Sequence, residues 1–289
     1  MNLSSATAKR VSLPVEGERV DVRYFEAGEG PPVVLLHGIG LDAAAVSWRH
    51  TLPALAATHR VYALDFPGHG ESEKPRRCYT TAYYREVLSA FLDDLDIEAP
   101  TLVGISMGGA VALGHALEED VENLVLVNSH GLGRDAPWRF SASVALWTPG
   151  FGPLWWAGTT GTRLSVRESL RQFTNSASPE FVEDVYEAAK DPAVGETLSS
   201  WQRSEFLITG FLTNHVGELA EVDVPTLVVH GEDDPLFPVR WSARAAEQIP
   251  KSSLSVFEDC GHWPPRERPA AFNEVIQSFL QAEPEAAPN

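Results

Sequence analysis

A serine set between a strand pattern and a helix pattern constrains this chain more than any other feature. Thr101-Leu102-Val103 is a short β-branched and apolar run that follows Pro100, the mark of a buried strand. Ala110 to Leu117 reads as a small-faced apolar helix. Between them lies Gly104-Ile105-Ser106-Met107-Gly108, a G-x-S-x-G pattern. A serine at so sharp a strand-to-helix turn is forced into a strained backbone, and the flanking glycines let strand and helix approach. The turn lifts the Ser106 hydroxyl above the sheet and sets the Met107 N–H beside it at a helix N-terminus. Without the strand and the helix the pattern is only a glycine-rich turn; with them, Ser106 is a candidate nucleophile.

Around this turn the chain alternates apolar strands with helices. Arg10–Leu13 and Val20–Glu26 form an early hairpin after a loose end at residues 1–9. Val33–Leu36, Arg60–Asp65, Leu124–Asn128, Pro225–His230 and Leu254–Phe257 read as strands. Ala43–Ala57, kinked or broken at Pro53, Thr80–Leu95, Arg240–Gln248 and Ala270–Gln281 read as helices; Ala282–Asn289 is an acidic tail. Such alternation predicts a mostly parallel sheet with helices on both faces and a site beyond the carboxyl ends of its strands. From Gly131 to Glu221 the rhythm stops and aromatic residues gather instead.

The strand ends supply the partners that a serine needs. A hydroxyl that attacks a carbonyl requires a base, and the base an orienting carboxylate. His262, in the late loop Gly261-His262-Trp263-Pro264, is the chosen base among nine histidines. His115 lies within a helix and points away, while His37 and His69 read as loop braces. His130 follows a strand and is placed in the pocket lining. Of the adjacent Asp233 and Asp234, the second is preferred as the acid, giving the order Ser106…Asp234…His262. The backbone N–H groups of Ile39 and Met107 are the expected oxyanion donors. Trp155, Trp156 and Trp263 are expected at the substrate, with the Phe140–Trp156 stretch offering apolar surface.

These segments, with His37-Gly38-Ile39-Gly40 and Asp65-Phe66-Pro67-Gly68-His69-Gly70-Glu71-Ser72, resemble the α/β-hydrolase superfamily. The resemblance spans nearly the whole chain. It implies an α/β-hydrolase fold: an eight-stranded, mostly parallel core from residues 1–130 and 222–289, with a helical cap at 131–221. Haloalkane dehalogenases and epoxide hydrolases of this fold use an aspartate nucleophile, which Ser106 argues against. The expectation is a serine hydrolase of small to medium apolar esters that works through an acyl-enzyme, with no cofactor and no metal. Carbon–carbon bond hydrolases of ring-cleavage products are the main alternative. They look similar around Ser106-Met107-Gly108-Gly109 and Gly261-His262-Trp263, but usually carry asparagine where this chain has Ile105. Cofactor-free haloperoxidases and perhydrolases share the triad, and a ligand-binding receptor on the same scaffold is the non-enzymatic reading.

The totals narrow the partners. With 40 acidic against 22 basic residues the net charge is -18, which opposes binding to nucleic acid or anionic membranes. An acidic, lysine-poor surface suits a high-salt cytoplasm, where salt screens self-repulsion. Two cysteines exclude a disulfide framework. No transmembrane run or apolar signal core is visible, so the expected location is cytoplasmic and the expected partner a small molecule.

Overall fold

The computed structural model describes Leu3 and residues 6–136, 138–148, 150–207 and 209–282. The hairpin of β1 (Thr7–Val15) and β2 (Glu18–Ala27) turns at Glu16-Gly17, both with positive φ. The strand begins at Thr7, so part of the expected loose end is paired: Thr7 sits opposite Glu26. Then come β3 (Pro32–Leu36), two short helices α1 (Ala44–Ser47) and α2 (Thr51–Leu55), and β4 (Arg60–Leu64). The single kinked helix expected at 43–57 is broken at Trp48–His50, ahead of Pro53. Pro53 falls in the first turn of α2, where a missing N–H leaves no intrahelical bond unmade.

Next are α3 (Thr81–Asp94), capped by the Thr80 side chain accepting from Tyr83 N–H, β5 (Thr101–Ile105), α4 (Met107–Ala116) and β6 (Asn123–Val127). The chain then leaves the sheet for α5 (Arg139–Leu146), α6 (Phe151–Thr160), α7 (Arg163–Leu170), α8 (Pro179–Ala189) and α9 (Pro192–Glu205). Helices α8 and α9 start as their sequences dictate. Ser178 and Asp191 accept from backbone N–H groups of the first turn, and a proline follows each cap. A ribbon of β7 (Phe206–Leu207) and β8 (Gly210–Phe211) follows. The sheet resumes with β9 (Thr226–Gly231), α10 (Arg240–Gln248) and β10 (Ser252–Phe257), and the chain closes with α11 (Pro264–Glu267) and α12 (Pro269–Gln281). The expected acidic tail lies outside the described residues beyond Ala282.

The sheet has eight strands in the order β1-β2-β4-β3-β5-β6-β9-β10. Only β2 runs against the others. The central strands are continuously apolar because both faces are covered. Val34, Leu36, Leu102 and Leu126 enter the core on one side; Val33, Leu35, Val103, Ile105 and Val127 enter the core on the other. A one-residue slip would exchange the two sets. This register brings the ends of β3, β5, β6, β9 and β10 to one rim of the sheet. No described helix is long and apolar enough to cross a membrane.

Candidate active site

Ser106 stands between β5 and α4 with φ 55 and ψ -119, a left-handed conformation costing a non-glycine residue on the order of 1–3 kcal/mol. Neighbouring bonds hold it there: Ser106 N–H donates to Val127 O at 2.9 Å, and His130 N–H donates to Ser106 O at 3.0 Å. The glycines on either side are sterically required. A Cβ on Gly104 would lie 2.2 Å from Gly108 O, and one on Gly108 would lie 2.3 Å from Leu36 O. Close packing of strand on helix thus explains the pattern read from sequence.

At the ends of β9 and β10, His262 Nδ1 lies 2.8 Å from Asp234 Oδ2. Both residues are buried, the imidazole against Phe237 and Trp263. Burial pushes the Asp234 carboxyl up, but the adjacent His262 imidazole, His230 and the Asn128 amide outweigh it and hold the group below its usual range. Leu236 N–H occupies the other carboxylate oxygen at 2.8 Å. Asp233, the rejected candidate, is instead bound by the Asn175 side-chain amide at 2.5 Å.

Asn128, which sequence reasoning missed, closes this network. Its Nδ2 donates to Asp234 Oδ2 at 2.6 Å, and its Oδ1 accepts from Gly231 N–H at 3.2 Å. It sits just past β6 with φ 40, a conformation that asparagine tolerates better than most residues. The one signal in the sequence was an asparagine at a strand end on the site rim. Asn128→Ala should lower kcat about tenfold with little change in KM, because the Asp234 carboxylate loses a fixed donor. It should also cost about 1–3 kcal/mol of stability, since Gly231 N–H is left without an acceptor. Steady-state kinetics and urea melts check both.

Ser106 lies at the base of a cavity of about 410 Å³ between the sheet rim and the inserted helices. Ile39, Trp155, Trp263 and Phe237 line it, with Phe151, Leu146 and Trp201 from the inserted block. Gln172, Ser199 and Gln202 are the other polar side chains on its wall among the described residues. The Trp263 indole is fixed by its N–H to Ser47 Oγ at 3.1 Å. Ser106 and the residues packed on His262 therefore face one apolar chamber. Met107 is fully buried as the first residue of α4. The side chain of Phe140 lies outside the described part of the structure.

Two expected lining residues lie elsewhere. Trp156 is not on this wall; it packs under Gly195 and borders a separate cleft with Lys74, Arg77 and Tyr79. Successive residues of α6 point about 100° apart, so Trp155 and Trp156 cannot share one face. His130 is fully buried behind Trp201 and Phe237, where its Nε2 lies 3.3 Å from Glu205 Oε2. A buried carboxylate at the end of α9 claims the imidazole that the sequence placed in the pocket. His37 and His69 brace loops as expected: His37 Nε2 accepts from Phe66 N–H at 2.9 Å and His69 Nε2 from Gly40 N–H at 3.0 Å. Among the described residues, no group of three His, Cys, Asp or Glu side chains is arranged to hold a metal.

A strained serine beside a helix N-terminus, with a buried His–Asp pair on the same rim of an eight-stranded sheet, defines a class. Residues 31–269 match the alpha/beta hydrolase fold family, and the chain belongs to it and is a hydrolase. It is 31% identical over 283 residues to 2-hydroxymuconate semialdehyde hydrolase of Pseudomonas sp. (strain CF600), covering 93% of each chain. It is 32% identical over 271 residues to 2-hydroxy-6-oxo-6-(2'-aminophenyl)hexa-2,4-dienoic acid hydrolase of Metapseudomonas resinovorans, covering 90% of this chain and 88% of that one. A solved serine hydrolase involved in carbazole degradation superposes with a TM-score of 0.78 at 28% identity, covering 95% of this chain and 99% of that chain.

Proposed function

We propose that this protein is a serine hydrolase that breaks a carbon–carbon bond beside a ketone, in a conjugated diketo acid of the ring-cleavage type. The observation that carries the reading is end-to-end similarity to hydrolases named for such substrates, on a chain with Ser106 lining a largely apolar chamber. This reverses the order of the two readings drawn from the sequence, in which the ester came first.

The chemistry follows from the groups present. Ser106 Oγ attacks the ketone carbon as His262 Nε2 takes its proton, and Asp234 steadies the resulting imidazolium through Nδ1. The Ile39 and Met107 N–H groups receive the new oxyanion. Collapse of the tetrahedral adduct breaks the bond to the neighbouring carbon. The departing electron pair delocalises into the conjugated carbonyl, and the carbon takes its proton from His262. An acyl-enzyme remains; water, deprotonated by His262, attacks it and releases a carboxylic acid and Ser106. Residues 131–221 act as a cap over a core of 1–130 and 222–289. Trp155 and Trp263 supply apolar surface to the group beside the ketone.

One observation favours a second reading, hydrolysis of a simple carboxylic ester. Ile105, where the carbon–carbon hydrolases usually have asparagine, is fully buried in the apolar core. That position therefore offers the substrate no amide, and ester cleavage needs none beyond the oxyanion donors. Parallel kinetics decide between the two. A vinylogous diketo acid, followed by loss of its visible absorbance, should turn over with at least a tenfold higher kcat/KM than any aryl ester of two to eight acyl carbons, about 1.4 kcal/mol in transition-state binding. Faster turnover of an ester establishes the second reading instead.

A further inference from the structure

The loop that carries His262 is held by a carboxylate outside the triad. Glu267, on α11, is buried, and its two oxygens accept from four backbone N–H groups. Two of these flank the histidine: Gly261 N–H and Trp263 N–H, each 3.1 Å from Oε1. The other two, Asn175 N–H at 2.7 Å and Ser176 N–H at 3.4 Å from Oε2, belong to the inserted block between α7 and α8. The His262 N–H itself donates to Phe173 O at 2.8 Å. Three consecutive backbone N–H groups around the imidazole are therefore anchored either on Glu267 or on the inserted block.

The arrangement reaches the chamber. Gln172 and Phe173 line its wall, one residue or less from the carbonyl that holds His262. A carboxylate offers about four lone-pair directions, and four N–H donors fill them. A neutral amide at this position would set an N–H₂ against an N–H and break the set. Displacement of a reacting group by about 1 Å costs on the order of 100-fold in rate.

We propose that Glu267 is a positioning residue for His262, and that through it residues 173–176 of the inserted block form part of the apparatus that places the imidazole between Asp234 and Ser106. This rests on the serine-hydrolase reading above. Ligand packed on Phe173 then bears on the same segment that fixes the base.

Glu267→Gln tests it, with Ser106 labelling by a fluorophosphonate as a readout independent of the natural substrate. Near-UV circular dichroism confirms the fold, and activity is expressed per labelled site. The expected result is a kcat about 10- to 100-fold lower, with KM within about threefold and the labelling rate slowed by the same factor. Glu267→Asp keeps the charge but is one methylene too short to serve both donor pairs, and should lose about tenfold. A folded Glu267→Gln protein that labels and turns over at the wild-type rate overturns the proposal. Should that variant not fold, wild-type rates in Glu267→Asp overturn it. Absence of labelling in the wild-type chain would instead overturn the serine reading on which the proposal stands.

Discussion

Ser106→Ala is expected to lower kcat by on the order of 10⁴ or more, for the diketo acid and the ester alike, and to abolish fluorophosphonate labelling. The substitution removes one oxygen and leaves the rest of the chamber wall in place, so KM should change little. On the proposed mechanism some acceleration over water should survive, because the amides assigned to the oxyanion, those of Ile39 and Met107, and the aromatic walls are left in place. The protein should melt in urea close to the wild type, since alanine keeps the Cβ and with it the same backbone strain, and only the hydroxyl is lost. Turnover within tenfold of wild type would show that another group attacks the substrate.

Loss of the buried carboxylate at Glu205 should produce the largest change in stability. Glu205 ends α9 inside the protein. It accepts from Thr81 Oγ1 at 2.6 Å, Thr213 N–H at 3.0 Å and Thr213 Oγ1 at 2.8 Å, and faces His130 Nε2. Burial alone would raise its pKa, but the His130 imidazole and these donors outweigh it and hold the carboxyl at about 2, against an ordinary value of 4.5. Above pH 4.5 the group is charged in both folded and unfolded chains, and its stabilisation is fully present. As the pH falls from 4.5 towards 2 the unfolded chain takes up the proton first, and roughly 3 kcal/mol is lost. Glu205→Gln should therefore cost about 3 kcal/mol at pH 7, where it leaves His130 and the threonines facing a neutral amide. It should also flatten the loss of stability between pH 4.5 and pH 2. Urea melts at several pH values check both, and an unchanged acid slope in the variant would show that other carboxylates govern acid unfolding.

Glu205 also explains how the inserted block is seated. Its partner Thr81 begins α3 and its partner His130 follows β6, while Trp201 and Gln202 of the same helix line the chamber. A second buried link joins α8 to α11, where Arg266 Nη2 lies 2.9 Å from Asp184 Oδ2 and the guanidinium sits 4.5 Å from the Phe181 ring centre. The inserted helices are thus tied to the rest of the chain by buried charged groups at two places, the end of α9 and the middle of α8.

The alternation of strands and helices, the strained turn at Ser106 and the order of the serine, acid and base candidates are all legible in the residue order. Each of these depends on short-range chemistry: apolar runs, glycines where a Cβ cannot fit, and turn residues after strands. Tertiary structure alone decided which groups meet. Asn128 joins Asp234 across 106 residues of chain. Glu267 gathers N–H groups from the His262 loop and from the inserted block, 92 residues away at Asn175. His130 turns from the chamber because Glu205 lies behind it, and Trp156 because helical rotation separates it from Trp155. Local patterns fix where a backbone bends, but a buried polar group takes whatever partner the packed fold brings within reach, and no spacing along the chain records that distance.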